Sequence, residues 1–486
     1  MLDILMLFMA GAQVTQVLRR SGPRQLVCTG HPSGLLGAVA DKLATEIRAC
    51  EACENAAGAM TKNNSDPNDD QRKDLGNLEG MLHTGLGSHF RAGGSRYSKT
   101  KYDPLNAFLP GHLAAWIPHV IRYWFHKKHA FRDYSTPGKG TGIFPISDRA
   151  TLSLVGDWAT GTDEAQNVAN CVQQFKPDYS IHLGDIYFVG DECEIKENFL
   201  GEKTSPYPPV KWPMGRLGSF ALSGNHEMYA RGYGYYESIL PKMGLKQTAA
   251  EWGDGQWASF FCLENKYWRI LALDTGYNAT GFDWGKMPIF EKSKWIRKSV
   301  HFKPRCEFPE AQLQWLKEAV NPDGDKRGLL VLTHHGCYSA FSDWYQVPAK
   351  QLARVIHRPV LWFWGHEHKL TVYDRYSVQD GIEAYGRCIG HGGMPVERGQ
   401  APDIECPWLA WDNRRYRNGE KIDVGFNGHA NLSLNGPQLH VQYVDLHCNT
   451  LLTEDWRVDL ESGELQGPNL EKVLQDPSLH IRPSSL

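Results

Sequence analysis

Two histidines one residue apart, His366 and His368, directly follow a short apolar and aromatic stretch of the chain. On an extended segment residues i and i+2 point the same way, so both imidazoles can face one cavity. Neutral imidazole is the commonest protein ligand for transition metals. A lone Gly-His-Glu-His segment is weak evidence, because nearby histidines also occur in ordinary surface loops. A metal site is therefore indicated only if further ligands come to the same place.

Four more clusters of metal-ligand residue types follow apolar, strand-like stretches earlier in the chain. They are Gly156-Asp157, Gly184-Asp185, Gly224-Asn225-His226-Glu227 and His334-His335. In open α/β sheets, ligands bind beyond the carboxyl ends of the strands. One polar strand end is an ordinary turn, but five of them built from Asp, Asn and His favour a shared site.

The elements that must position these clusters begin at about residue 151. Short apolar strands alternate there with helical segments, which is typical of a layered α/β core. The predicted strands are 151–155, 179–183, 219–222, 257–263, 267–273, 328–333 and 359–364, and the predicted helices are 163–175 and 309–320. Strand-like alternation returns over 430–459, and residues from about 465 resemble a loose terminus.

The first 145 residues differ from the rest and predict a helical or irregular extension (1–145) of unknown role. Within it, apolar spacing predicts an amphipathic helix over 33–53, and aromatic spacing over 111–129 favours a core-packing helix. The main domain is predicted over 146–465, with a C-terminal tail over 466–486.

Composition limits the function classes. The chain has 486 residues, 41% hydrophobic and 22% charged, which describes a soluble globular protein. The formal charge of −3 gives no electrostatic case for nucleic acid or an anionic membrane as partner. No stretch approaches the roughly 20 apolar residues of a transmembrane segment. The oligomeric state stays open.

The 11 cysteines are odd in number and scattered. This pattern predicts reduced thiols and a cytoplasmic location rather than a disulfide framework. Cys50 and Cys53 form a single C-x-x-C pair, which is a weak zinc or redox candidate.

The five clusters, in this order, resemble the motifs of the calcineurin-like metallophosphoesterase family, which includes the purple acid phosphatases. The resemblance covers about 150–400. It implies a double β-sheet sandwich flanked by helices, in four layers, and a centre of two metal ions. It implies that Asp157 and His368 are ligands of the first metal, and that Asn225, His334 and His366 are ligands of the second. Asp185 would bridge both metals. His226 would face the phosphoryl group of the substrate. These ligand types suit iron, manganese or zinc without selecting among them.

Four further residues receive supporting roles. His334 is the expected ligand because it directly ends its strand, where the family places one, so His335 is expected beside the substrate or behind a ligand. His391 is expected as a substrate contact. Asp274 is either a turn residue or a support for the ligands, and Asp191 is expected in a solvated loop or at a helix start.

Two departures from the family pattern bear on the first metal. Many members read Asp-x-His where this chain has Asp157-Trp158-Ala159. The variant resembles purple acid phosphatases, which use a tyrosine three residues after the second aspartate. That position is Phe188 here, and Tyr187 comes one residue early. If Tyr187 pointed to the core, the first metal would keep three protein ligands.

The resemblance implies hydrolysis of a small phosphorylated substrate. Two metal ions lower the pKa of a bound water and clamp an in-line displacement at phosphorus. The Asp157-Trp158 variant favours phosphomonoesters. The alternative is a phosphodiesterase acting on cyclic nucleotides, nucleotides or lipid head groups. A third hypothesis, of another class, is a scaffold or regulatory module whose metal site is weakened by the missing histidine.

Overall fold

Two mixed β-sheets stacked face to face organise the protein, as a computed structural model shows. It describes Tyr123 and residues 126–203, 208–246, 255–279, 305–341, 344–396, 398, 400–403, 406–416 and 424–482. All of them belong to one compact unit. The helix predicted over 33–53, most of the 111–129 segment, and Cys50 and Cys53 lie outside the described residues.

The described strands and helices follow in chain order. The strands are β1 (Ile143–Pro145), β2 (Arg149–Val155), β3 (Tyr179–His182), β4 (Gly218–Ala221), β5 (Gly244–Leu245), β6 (Phe261–Glu264), β7 (Trp268–Ala272), β8 (Gly328–Thr333), β9 (Val360–Trp364), β10 (Leu370–Tyr376), β11 (Ala384–Ile389), β12 (Trp408–Asp412), β13 (Gly428–Asn435), β14 (Gln438–Asp445), β15 (Thr450–Val458), β16 (Leu465–Lys472) and β17 (Leu479–Ile481). The α-helices are α1 (Asp163–Phe175), α2 (Glu192–Asn198), α3 (Asn225–Tyr229), α4 (Glu310–Trp315) and α5 (Gln346–Leu352). Short π-helical turns lie at Tyr235–Ile239 and Leu316–Val320, and a 3-10 turn at Leu240–Lys242.

Each sheet contains a run of neighbouring parallel strands. The strand order in the first sheet is β1-β6-β7-β8-β9-β11-β10-β12-β17, and in the second β16-β15-β14-β13-β2-β3-β4-β5. In the first sheet β7, β8, β9 and β11 run parallel. In the second sheet β2, β3 and β4 do so. The carboxyl ends of these strands carry all five predicted clusters.

The alternation of side chains along β9 explains how the layers form. Leu361 and Phe363 lie in the apolar core between the two sheets. Trp362 and Trp364 point the other way and pack with residues of α5 and the π-helical turn after α4. Because successive side chains of a strand face opposite sides, a strand buried on both faces is apolar throughout.

Helices cover the outer face of each sheet. On the second sheet, Ala165 and Val168 of α1 and Ile195 of α2 pack with Val155. Helix α1 starts where the Thr162 side chain accepts a hydrogen bond from the Ala165 amide at 3.2 Å, satisfying one of the free donors of its first turn. The predicted double sandwich flanked by helices is confirmed.

Two expectations about the chain ends need correction. The loose terminus expected from residue 465 is wrong, because β16 joins the edge of the second sheet and β17 the edge of the first. Pro468 and the mostly exposed pattern of β16 hid this strand in the sequence, and proline is tolerated at sheet edges. At the other end, β1 precedes the predicted boundary at 146 and pairs with β6.

The expectation that all cysteines are reduced thiols is also wrong. Cys171 of α1 and Cys448, between β14 and β15, form a disulfide across a sequence separation of 277 residues. The scattered spacing of the cysteines could not reveal this pairing, because it depends on the tertiary fold.

Among the described residues, no helix combines the length and apolar character needed to cross a membrane.

Candidate metal centre

The carboxyl ends of the parallel strands in both sheets meet at one edge of the sandwich. Asp157 and Asp185 follow β2 and β3 of the second sheet, and His334 follows β8 of the first. The Nδ1–H of His334 donates to the Leu183 carbonyl at 2.9 Å, which joins the two sheets at this edge. The predicted convergence of the clusters is therefore present.

Three of the predicted ligands have left-handed backbone conformations. The φ angles are 56° at Asp157, 71° at Asp185 and 64° at His366. Such conformations in non-glycine residues cost of order 1–3 kcal/mol each and concentrate at functional sites. Each of the three residues lies two or three positions after the end of a strand.

Two glycines leave room for the carboxylates. A Cβ atom on Gly224 would lie 2.1 Å from Oδ1 of Asp185, and one on Gly365 would lie 2.5 Å from Oδ2 of Asp157. No side chain fits at these distances, so the glycines of the motifs are required by close packing around the ligands.

The first group of donors surrounds the hydroxyl of Tyr187. This oxygen lies 2.9 Å from Oδ1 of Asp157, 3.2 Å from Oδ2 of Asp185 and 3.2 Å from Nε2 of His368. The His368 Nε2 is in turn 3.5 Å from Oδ1 of Asp157. Tyr187 therefore points into the centre and not into the core. Its neighbour Phe188, at the position where the resemblance to purple acid phosphatases predicts a tyrosine, packs with Val189 and Ala230.

The second group of donors meets at Nε2 of His334. This nitrogen is 3.2 Å from Oδ2 of Asp185 and 3.2 Å from Oδ1 of Asn225. The His366 ring lies 5.2 Å from the His334 ring, centre to centre. Asp185 is common to both groups, which is the position that a bridging carboxylate requires.

Electrostatic coupling between Asp185 and His334 dominates the centre. Burial alone would raise the pKa of Asp185, but His226 and His334 together hold it well below its usual range. Burial alone would lower the pKa of His334, but Asp185 outweighs it and raises the pKa to about 9. The Asp185 carboxylate therefore stays charged, as a ligand must.

Burial and the nearby negative charges shift the pKa of Tyr187 in the same direction. Burial and the carboxylates of Asp157 and Asp185 raise the pKa of its phenol well above the ordinary value. The phenol is neutral in this environment and would need a cation beside it to ionise.

His226 lies at the margin of the centre. Its Nδ1–H donates to the Phe188 carbonyl, and its Nε2 is 3.7 Å from Oδ2 of Asp185. Burial lowers its pKa, against the opposing effect of Asp185. Because a carbonyl can only accept, the protonated nitrogen faces Phe188, and Nε2 is turned towards the centre.

Sequence reasoning missed the part that Glu227 plays behind the ligands. One oxygen of its carboxyl group accepts the amide hydrogens of Gly224 at 2.7 Å and Asp185 at 3.2 Å. Burial, with the nearby Asp185 charge, raises its pKa to about 8. Glu227 thus ties the loop after β3 to the loop after β4.

His335 packs against the ligands rather than standing apart from them. Its ring centre is 4.7 Å from that of His334 and 4.4 Å from that of His366, and its Nδ1 lies 3.0 Å from Oγ1 of Thr275. Sequence reasoning also missed Tyr345, whose hydroxyl lies 3.0 Å from Nε2 of His366. No signal marks Tyr345 in the sequence, because it does not follow a strand.

The remaining candidates have different placements. The Asp274 carboxylate is buried and accepts from Ser223 Oγ at 2.9 Å and the Tyr277 amide at 2.8 Å, so it supports the chain just before Asn225. Asp191 caps α2, which confirms the helix-start interpretation. His391 is 1% exposed, and its expected contact with a substrate stays a prediction.

The donor set fits a binuclear transition-metal centre. One ligand atom each of Asp157, Asp185 and His334 lie within 4.8 Å of one another, and so do those of His334, His335 and His366. Buried carboxylates, imidazoles and an amide oxygen within such distances form the mixed oxygen and nitrogen environment that iron, manganese and zinc accept.

Comparison with known proteins gives one family. Residues 151–370 match the family model described as calcineurin-like phosphoesterase. No curated protein matches the chain.

Several solved structures are weakly similar to this chain. GAP50, "the anchor in the inner membrane complex of Plasmodium", is 14% identical with a TM-score of 0.36, over 64% of this chain and 89% of that one. The purple acid phosphatase PPD1 from yellow lupin seeds is 12% identical with a TM-score of 0.40, over 65% of this chain and 55% of that one. PhoD is 11% identical with a TM-score of 0.40, over 67% of this chain and 72% of that one. Similarities at this level support no statement about activity.

The family match spans the strands and loops that carry all the predicted ligands, and it agrees with the motif resemblance. Residues 151–370 of this chain therefore match the calcineurin-like phosphoesterase family.

Proposed function

We propose that this protein hydrolyses phosphate esters with a centre of two metal ions. The observation that carries the proposal is the position of Asp185 between two groups of donors, one around Tyr187 and one around His334. A carboxylate shared in this way would hold two cations close together and offset part of their charge. Two cations so placed lower the pKa of a bound water and clamp both oxygens of an in-line displacement at phosphorus.

The residues divide into two ligand sets. Asp157, Tyr187 and His368 would hold the first ion, Asn225, His334 and His366 the second, and Asp185 both. With Tyr187 the first set reaches four protein ligands, which compensates for the histidine that Ala159 replaces. Iron, manganese or zinc would fit these donors.

His226 would act on the substrate rather than on an ion. The hydrogen bond to Phe188 fixes its ring, so Nε2 has one orientation relative to Asp185. From there it can stabilise the phosphoryl oxygens or exchange a proton with the leaving oxygen.

Phosphomonoesters are the proposed substrate class, and this preference rests on the Asp157-Trp158 variant alone. The alternative, a phosphodiesterase, predicts faster turnover of bis(4-nitrophenyl) phosphate than of 4-nitrophenyl phosphate. A panel of both esters with equal leaving groups decides between the two.

The predicted cytoplasmic location receives no support from the structure. The Cys171–Cys448 disulfide is a bond that persists mainly in oxidising compartments.

The proposal is tested by metal content and activity together. Protein purified without chelator is expected to contain about two transition-metal ions per chain and to hydrolyse a phosphate ester. Metal removal should abolish activity, and metal readdition should restore it. Asp185→Asn should lose both ions and activity, whereas Asp455→Asn, on the exposed face of β15, should keep them. Equal activity in wild type and Asp185→Asn would overturn the proposal.

A further inference from the structure

Three imidazoles meet where β8 and β9 end. His334 and His335 directly follow β8, and His366 follows β9. Each of the three can offer one ring nitrogen, and these nitrogens lie within 4.8 Å of one another. His334 and His335 are buried, and His366 is partly exposed. The fold therefore brings three nitrogen donors together, one more than the ligand set of the second ion uses.

The spacing of the three rings matches that of rings around a shared ion. An ion about 2.1 Å from a ring nitrogen lies roughly 3.2 Å from the centre of that ring, so two rings roughly 90–109° apart around it have centres roughly 4.5–5.2 Å apart. The ring centres of His334 and His335 are 4.7 Å apart, those of His335 and His366 are 4.4 Å apart, and those of His334 and His366 are 5.2 Å apart. The ring planes are inclined by 86°, 45° and 72° in the same order, so none of these pairs is stacked.

Hydrogen bonds behind two of the rings decide which nitrogen each can offer. His334 offers Nε2, because its Nδ1–H donates to the Leu183 carbonyl at 2.9 Å. Nδ1 of His335 lies 3.0 Å from Oγ1 of Thr275, which also accepts the His335 amide hydrogen at 3.0 Å. Histidines that bind metals usually donate their other ring N–H to an acceptor of this kind. With Nδ1–H donated to Thr275, His335 would present Nε2 to an ion.

We propose that His335 is a ligand of the second metal ion, together with His334 and His366. The inference rests on the proposed function, since this ion is one of the two in that centre, and it goes beyond the supporting role that the sequence predicts for His335. With the oxygens of Asp185 and Asn225, the ion would have five protein ligands. An octahedral site would then keep one position for a water molecule.

The added imidazole bears on which metal the second site selects. Imidazole nitrogen suits zinc, whereas carboxylate, carbonyl and water oxygens suit manganese, and zinc also has the higher intrinsic affinity of the two. The second site would have three nitrogens and two oxygens, while the first would have the nitrogen of His368 and three oxygens. We therefore expect zinc rather than manganese at the second site when both metals are supplied.

The deciding experiment is a crystal structure of the zinc-loaded wild type, with anomalous diffraction measured at the zinc edge. Zinc is expected at the second site with a ring nitrogen of His335 about 2.0–2.1 Å away, as for His334 and His366. A zinc ion bound by His334 and His366, with both ring nitrogens of His335 more than about 3 Å away, would overturn the inference. Because wild type is used, the result does not depend on the folding of a variant.

His335→Gln gives a second measurement, of metal affinity by competition with a chromophoric chelator. One of the two zinc ions should bind at least about tenfold more weakly than in wild type, because a nitrogen ligand is lost. Manganese affinity should change less, because the amide oxygen of glutamine is a donor that suits manganese. His357→Gln makes the same chemical change at a histidine whose side chain is 61% exposed and should bind both metals as wild type does. Equal zinc affinity in wild type and His335→Gln would overturn the inference.

Failure of the proposed function gives a different result. The same zinc-loaded wild type is assayed with 4-nitrophenyl phosphate and bis(4-nitrophenyl) phosphate. Zinc bound by His335 without hydrolysis of either ester would contradict the hydrolase and support the inference. Hydrolysis by a protein whose His335 does not contact zinc would support the hydrolase and overturn the inference. A wild type that binds no zinc at His334 and His366 would contradict the ligand role of His335 and the metal centre alike.

Discussion

Tyr187 shows how far single residues can be assigned from motif spacing. The resemblance to purple acid phosphatases places a tyrosine at 188, where this chain has phenylalanine, yet the Tyr187 hydroxyl lies close to Asp157, Asp185 and His368. The left-handed backbone at Asp185 turns the chain there, so counting residues does not tell which side chain faces the centre. Which side chain faces the centre depends on the path of the backbone after Asp185.

Replacing Tyr187 by phenylalanine should weaken the first metal site selectively. The change removes one oxygen of four proposed protein ligands, so elemental analysis should find about one ion per chain instead of two. Iron-loaded Tyr187→Phe should also lack the visible absorption that an iron–tyrosinate bond would give to iron-loaded wild type.

Tyr229→Phe serves as the comparison for this change. The Tyr229 hydroxyl lies 3.1 Å from Nδ2 of Asn225 and belongs to the other side of the centre, so that variant should keep the first ion. Two ions retained in Tyr187→Phe would remove tyrosine from the ligand set.

At the scale of elements, the strands beside the centre were predictable and the loops between them were not. Apolar runs of β8 and β9, ended by histidines, identify strand and ligand together, because a strand buried on both faces must be apolar. Tyr345 comes 21 residues before the histidine it contacts and was not predicted. Its position depends on a loop path that no periodicity encodes.

The disulfide between α1 and the β14–β15 connection is a second contact that local pattern cannot predict. It closes a loop of 277 residues and should stabilise the fold mainly by restricting the unfolded chain. Cys448→Ser is therefore expected to lower the free energy of unfolding by about 2–5 kcal/mol, measured by urea denaturation. Catalytic activity at 25 °C should stay at the wild-type value.

The effect of reductant on the stability of wild type also tests whether the disulfide stabilises the fold. Reductant should lower its urea midpoint to that of Cys448→Ser and leave the variant unchanged. Cys193→Ser, at an exposed cysteine outside the disulfide, should behave as wild type. If reductant left the urea midpoint of wild type unchanged, this result would contradict the presence of the disulfide.

At the scale of the whole molecule, one buried ion pair joins the two sheets. Arg387 of β11 and Glu454 of β15 have fully buried side chains, with Nε and Oε1 2.9 Å apart. Removing one partner leaves an uncompensated charge in the core, so Glu454→Leu should cost about 3–5 kcal/mol of unfolding free energy. The double change Arg387→Met with Glu454→Leu should recover most of this loss in urea titrations. A double variant as unstable as the single one would show that the core needs the pair itself or the hydrogen bonds that Glu454 accepts from Tyr443 and Trp456.

Two buried histidines near the same inter-sheet region should make stability depend on pH. Burial lowers the pKa of His391 to about 3, helped by His429 and Arg414 and opposed by Asp445. Burial lowers the pKa of His429 to about 4, against the effects of Asn431 and Asp445. Above about pH 7 both histidines are neutral whether the chain is folded or unfolded, so neither affects stability there.

Below about pH 6.5 the unfolded chain takes up protons on these two histidines, and the folded protein does so only near pH 3–4. Stability should therefore fall as the pH falls through this window, by about 2 kcal/mol per histidine between pH 7 and pH 5. Other groups titrate there as well, His334 with the opposite sign, so the comparison must be with His391→Asn/His429→Asn at each pH and one metal concentration. Because the variant lacks both groups, its unfolding free energy should decline by about 4 kcal/mol less than that of wild type over the same interval. Parallel declines in the two proteins would mean that these histidines keep their ordinary pKa values in the fold.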